Sequence, residues 1–225
     1  TRLSANTSQG FSIGTFTKGS GNETVAHGLG AAPDWLIVKR RNGSGSWIVY
    51  HSANTANPET DYLTLNSNNA TADEATFWND TAPTSTVFTV GAAFNSGETL
   101  VFYAWTDISG YSKFGSYTGS GSAGKQVTGL GFKPAWLMIK STTVNGTNWA
   151  IWDNTRTVVD PRDNSSVANG TDAEFVDNSS FSVDFLSDGF ELNSNYGDVN
   201  QSSATYIYMA FADTRSAAFF KDVTT

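Results

Sequence analysis

No cysteine occurs in the sequence, so the chain can form no disulfide, offer no thiol nucleophile and hold no zinc through thiolates. Histidine is scarce too. Any nucleophile-plus-base arrangement would have to be built on His27 or His51, and no Gly-x-Ser-x-Gly elbow accompanies them; both read as ordinary turn or surface residues at strand ends. Basic residues number 13 against 21 acidic ones, for a formal charge of −8. A sequence-independent grip on nucleic acid needs Lys and Arg to neutralise phosphates, so no nucleic-acid partner is expected. The one dense basic run, Lys39-Arg40-Arg41, meets a Gly/Ser turn and reads as a solvated strand end. No apolar stretch approaches the roughly 20 residues that span a bilayer, and no membrane insertion is expected. The polar start Thr1-Arg2-Leu3-Ser4-Ala5-Asn6 lacks the apolar core of a signal peptide. The first residue is Thr rather than Met, and the chain reads as a fragment of something longer.

What the sequence does contain is Gly, Ser, Thr, Asn and aromatics, with little Lys, Glu or Leu, a balance that favours short strands joined by tight turns. The expected fold class is all-β. Its 225 residues suffice for one large domain or two packed halves of about 100 residues each.

Internal similarity at a period of about 100 residues decides between simpler readings of the chain. Gly14-Thr15-Phe16-Thr17 returns as Gly115-Ser116-Tyr117-Thr118. Gly28-Leu29-Gly30 followed by Pro33-Asp34-Trp35-Leu36-Ile37-Val38-Lys39 returns, at the same offset, as Gly129-Leu130-Gly131 followed by Pro134-Ala135-Trp136-Leu137-Met138-Ile139-Lys140. Trp47-Ile48-Val49-Tyr50 matches Trp149-Ala150-Ile151-Trp152, and Tyr103-Ala104-Trp105-Thr106-Asp107 matches Met209-Ala210-Phe211-Ala212-Asp213. The expected organisation is a connector over 1–9, a first β-sandwich repeat over 10–110, a second over 111–215 and a C-terminal tail over 216–225. Two tandem antiparallel halves of jelly-roll character, or one sandwich built from both, fit this equally. Thr214-Arg215-Ser216-Ala217 echoes Thr1-Arg2-Leu3-Ser4-Ala5, as if one connector bounded each double unit.

Strands are expected at 35–39, 47–50, 62–65, 87–90 and 99–105 in the first half, and at 136–140, 181–185, 190–192 and 205–211 in the second. Asp188-Gly189 is a hairpin signal. The polar stretches 66–73 and 164–172 read as exposed loops.

Chemistry is sparse. The Gly-rich stretch 119–124 lacks the Lys-Ser/Thr ending of a phosphate loop and reads as a hairpin tip. Asp153, Asp160, Asp163, Asp172, Glu174 and Asp177 form the densest acidic region, read as a solvated loop, with calcium held by oxygen ligands as the sharper alternative. Trp35 with Trp136, and Trp47 with Trp149, occupy matched positions and read as core. Trp78 matches no aromatic in the second half; it reads first as a core or loop-anchoring residue and is the best single candidate for an exposed ligand contact. Asn-x-Ser/Thr sequons at Asn22, Asn69, Asn145, Asn169 and Asn178 follow from composition alone. No catalytic residue, metal site or cofactor is expected.

The phrases Gly10-Phe11-Ser12-Ile13-Gly14-Thr15-Phe16-Thr17, Trp78-Asn79-Asp80-Thr81-Ala82-Pro83-Thr84-Ser85, Gly110-Tyr111-Ser112-Lys113-Phe114-Gly115 and Tyr206-Ile207-Tyr208-Met209-Ala210-Phe211-Ala212 resemble an uncharacterised family of tailed-phage structural proteins. Its members often lie beside concanavalin-like jelly-roll domains in long, repetitive appendage proteins. The resemblance covers nearly the whole chain from Gly10 to Arg215 and carries no assigned functional residues. It implies a non-enzymatic virion module of a tail fibre, head fibre or capsid decoration, at the particle surface. The implied partners are other virion proteins or copies of the chain itself, with a host-surface glycan as a further candidate. The alternative is a carbohydrate-binding module of a secreted or surface protein.

Overall fold

The computed structural model describes residues 1–213; the echoed connector at 214–217 and the tail 216–225 lie outside the described residues. The first half contributes β1 (Arg2–Asn6), β2 (Phe11–Thr17), β3 (Glu23–Ala26), β4 (Trp35–Arg40), β5 (Trp47–His51), β6 (Asp61–Thr64), β7 (Ala72–Asp73), β8 (Val87–Val90) and β9 (Thr99–Trp105). The second contributes β10 (Ser112–Thr118), β11 (Lys125–Thr128), β12 (Pro134–Ser141), β13 (Ala150–Asp153), β14 (Ser166–Val167), β15 (Val183–Leu186), β16 (Gly189–Leu192) and β17 (Thr205–Ala212). Two single α-helical turns, α1 (Ala75–Trp78) and α2 (Gly197–Asn200), and two 3-10 turns, Pro58–Thr60 and Ser179–Phe181, complete the regular structure of the described residues. The fold is all-β and every strand pair is antiparallel.

Four sheets result. A seven-stranded sheet runs β1-β2-β9-β4-β5-β6-β7 and is covered on one face by the ribbon β3-β8. A five-stranded sheet runs β10-β17-β12-β13-β14 and is covered by β11-β16-β15. The two large sheets share an order, since β2-β9-β4-β5 in one stands as β10-β17-β12-β13 in the other.

Alternation along the strands shows which layer each residue serves. In β9, Leu100, Phe102 and Ala104 enter the first half's own core with Leu36, Val38 and Phe88. Tyr103 and Trp105, on the opposite face, join Trp35, Ile37 and Val49 in a different cluster. The second half does the same: Leu137, Ile139, Tyr206 and Tyr208 pack with Phe185 and Phe190, while Met138, Ile207 and Met209 face the other way. Strands buried on both faces read as continuous apolar runs, which is why 35–38 and 136–139 stand out in the sequence. The chain therefore has three cores, one inside each sandwich and one between their backs.

Turn chemistry holds the ends. Gly28 and Gly30 adopt φ of 71° and 78°, and Gly129 and Gly131 adopt 87° and 80°, so each Gly-Leu-Gly bends in a way other residues resist and drops its leucine, Leu29 or Leu130, into a core. The Asp188-Gly189 signal marks a true hairpin, with Leu186 opposite Gly189. The Asp188 carboxylate also accepts the Gly129 and Gly131 amides at 3.1 and 2.6 Å, tying that hairpin to the Gly-Leu-Gly turn. Within the stretch expected as a connector, Arg2–Asn6 form β1 and pair with β2, and the 66–73 stretch, mostly exposed as expected, also bonds the second half through Asn68 and Thr71.

Candidate functional site

Trp78, read as a core or loop-anchoring residue first and as an exposed ligand contact second, is only 2% exposed, in line with the first reading. The helical turn α1 ends on it, Asn79 caps the turn in a left-handed conformation, and the indole Nε1 donates to the Asp61 carbonyl at 3.0 Å. Its ring stands edge-on to Tyr50 at 6.0 Å. The second half holds a comparable pair that sequence alignment misses: Trp152, the counterpart of Tyr50, packs 4.9 Å from Phe181 and donates its Nε1 to the Phe181 carbonyl. The ring sizes are exchanged between halves.

Both histidines are buried rather than at the surface, a correction. Each imidazole is used as a two-ended bracket. Nδ1 accepts a backbone amide two residues on, from Leu29 or Ala53, so the proton sits on Nε2. That Nε2 donates to a distant carbonyl, Thr84 for His27 at 3.1 Å and Tyr208 for His51 at 3.2 Å. Burial lowers both pKa values, that of His51 to about 4. Neutral imidazoles with both nitrogens engaged are structural.

The acidic region is partly neutralised by its own cations. Arg156 bridges Asp153 and Glu174, and Asp160 meets Lys133 and Arg162. Hydrogen bonds from Arg156 and Thr155 hold the Asp153 carboxyl below the usual carboxylate range despite its partial burial. No group of three or more His, Cys, Asp or Glu among the described residues could hold a metal ion. No helix among them is long and apolar enough to cross a membrane.

The most developed contact region is the seam between the halves. Trp35, Ile37, Val49 and Leu63 meet Phe114, Met138, Trp149, Ile207 and Met209 there. Polar bonds stitch its borders: the Trp149 Nε1 donates to the Thr64 carbonyl at 3.0 Å, Thr71 N to Thr142 O at 2.9 Å, Gly146 N to Asn68 O at 2.9 Å and Ala70 N to Asn145 Oδ1 at 2.8 Å. His51 adds the bond to Tyr208. Lys140, wholly buried, sends its Nζ to the Thr147 carbonyl and hydroxyl at 3.0 and 2.9 Å and reaches Asn68 O at 3.4 Å. Burial lowers its pKa to about 8, opposed by the charge of Asp198. Sequence reasoning passed over this lysine, although a Lys ending a run buried on both faces is itself a signal.

Three surfaces stay open. A cleft of about 440 Å³ along the seam is lined by small polar residues including Asn54, Thr55, Ser116 and Thr143. A recess of about 410 Å³ beside β1 is lined by Arg2, Leu3, Ile13 and Arg41. The loops over 157–178 present Val158, Val159 and Val176 to solvent. Such surfaces suit contacts with other molecules; none places a nucleophile beside a base.

Residues 1–215 match the family model described as a domain of unknown function, DUF7483, and the chain belongs to that family. Neither the curated proteins nor the solved structures contain a match to it.

Proposed function

We propose that this DUF7483 chain is a non-enzymatic structural module of a phage surface appendage, whether tail fibre, head fibre or capsid decoration, working in assembly and in contact with the host surface. The observation that carries the reading is the third core. Two β-sandwiches are fixed back to back by buried aromatics and by hydrogen bonds at the borders, which makes a stiff block rather than a hinged cleft. A module outside the cell survives by the rate at which it unfolds, and a block closed on buried cores suits that demand. The motif resemblance to tailed-phage proteins supplies the location, and an internal duplication accounts for the shared order of the two large sheets. The carbohydrate-binding alternative rested on an exposed Trp78, and with that ring in the core it has lost its named residue.

Immunogold labelling with antibody raised against the purified chain tests the proposal. Gold on the appendages or capsid surface of particles from the producing culture is the expected result. Label confined to cells, with particles bare, would remove it.

A further inference from the structure

Five large apolar side chains are exposed among the described residues, and three of them share one loop segment: Val158 at 73%, Val159 at 67% and Val176 at 59%. That segment is a folded platform. The Thr157 hydroxyl accepts the Asn164 amide at 3.2 Å, Asn164 Oδ1 accepts the Asp177 amide at 3.1 Å, and Asn178 N donates to Asp163 O at 3.1 Å. Single exposed apolar residues are ordinary, but apolar side chains on one ordered, polar-rimmed segment are the composition of a contact surface. The segment 157–178 carries five carboxylates; Asp160 and Glu174 are engaged by Lys133, Arg162 and Arg156, which leaves Asp163, Asp172 and Asp177 without an ion pair among the described residues.

A surface of complementary character lies on the other half. Leu3, 44% exposed, flanks the recess beside β1 together with Ile13, Arg2 and Arg41. Arg2 lies opposite Thr15 in the β1–β2 register, and a second depression of about 250 Å³ is lined by Arg2, Thr15 and Arg41. Both arginines are exposed, and neither guanidinium has an ion pair or hydrogen bond among the described residues. Two free guanidiniums beside an apolar recess stand out in a chain of net negative charge.

We propose that copies of this chain associate head to tail, the acidic, valine-tipped loops of one copy seating on the arginine-flanked recess beside β1 of the next. The inference rests on the assembly reading and deepens it by naming a second copy as the partner. Because the two surfaces differ, the contact is heterologous and leaves one loop platform and one recess free at the ends, so it can propagate as a string. Valines exclude water at the centre, while the charges at the rim set orientation, encounter rate and salt dependence.

Sedimentation velocity on the purified chain, from micromolar to millimolar concentration, reads the contact. The expected mass rises with concentration at low salt and returns to that of one chain in 1 M salt, where the screening length shrinks to about 3 Å. Two variants alter exposed positions only, R2E/R41E on the recess and V158S/V159S/D172K on the platform, and thermal melts check that each stays folded. Each alone is expected to be monomeric, with association at least tenfold weaker than in the parent. Mixed in equal amounts, they are expected to form a dimer that grows no further, since one intact platform meets one intact recess. A parent chain that stays monomeric throughout, a variant that associates as the parent does, or a mixture that stays monomeric would overturn the contact. A monomeric parent on gold-labelled particles removes this contact alone, whereas self-association with bare particles removes the virion location alone.

Discussion

The two halves share the order of their large sheets but protect the outer edges differently. In the first, β1 pairs with residues 11–15 of β2 and leaves its own side chains in solvent. In the second, no strand among the described residues covers β10; the Asp107 carboxylate instead accepts the Phe114 amide at 2.7 Å and pairs with Lys113. An unpaired edge is a template for unwanted pairing, and a charged side chain laid along it blocks that route. The loops diverge as well. The first half turns its 68–71 loop inward onto the second, while the second sends its 157–178 loops outward. What the halves hold in common is the sheet plan, and what distinguishes them lies in edges and loops, where the backbone can change without disturbing a core.

The largest expected break in this comparison comes from the matched tryptophans. Trp149 is wholly buried and bonded to the opposite half, whereas its counterpart Trp47 is half-buried at the border of the same core. Trp149→Ala is expected to cost about 3–5 kcal/mol, as cavity formation around a large aromatic does, and to separate the unfolding of the halves into two steps. Trp47→Ala is expected to cost less than half as much and to leave one transition. Urea unfolding followed by circular dichroism checks both.

Next in size is a dependence on pH through His51. Its folded pKa of about 4 lies below the unfolded 6.5, so the unfolded chain binds a proton first as pH falls. The stability associated with the neutral ring is therefore complete above pH 6.5 and is lost progressively down to pH 4, by about 3 kcal/mol at about 1.4 kcal/mol per unit. His27, also lowered by burial, adds in the same direction. Denaturation midpoints measured between pH 7 and 4 should fall, and His51→Asn should flatten part of the slope. An equal slope in that variant would assign the effect elsewhere.

The smallest effect sharpens the exchanged ring pair. Tyr50→Trp and Trp78→Phe each mismatch the first half's core, and each is expected to cost about 1–3 kcal/mol through overpacking or a lost hydrogen bond. Together they reproduce the ring sizes of Trp152 with Phe181. The double variant should recover part of the summed loss, and strict additivity would show that the two pairs are unrelated solutions.

Much of the sheet plan was legible because its cause is local. Runs such as 35–38 and 136–139 are apolar at every position, and the glycines around Leu29 and Leu130 announce turns. Strands at 47–51, 87–90, 99–105 and 205–212 fall within a residue or so of expectation. β1, β3 and β11 were not legible, since short strands solvated on both faces, like β1, or on one, like β3 and β11, resemble loops in composition. The histidines were misread for a related reason. A ring beside a polar loop looks exposed when the element that covers it is distant in sequence: Thr84 for His27 and Tyr208 for His51.

By itself, the sequence determined that this chain is all-β, that it lacks the residues for thiol chemistry and that two stretches about 100 residues apart follow one pattern, because composition and periodicity act through neighbours along the chain. Only the tertiary structure decided that the halves join back to back through a third core, that Lys140 and both histidines are buried, and that two free arginines and three exposed valines form separate surfaces. Burial is a property of what lies across space. Which face of a strand meets solvent depends on the sheet stacked against it, and no local pattern encodes the arrival of that sheet.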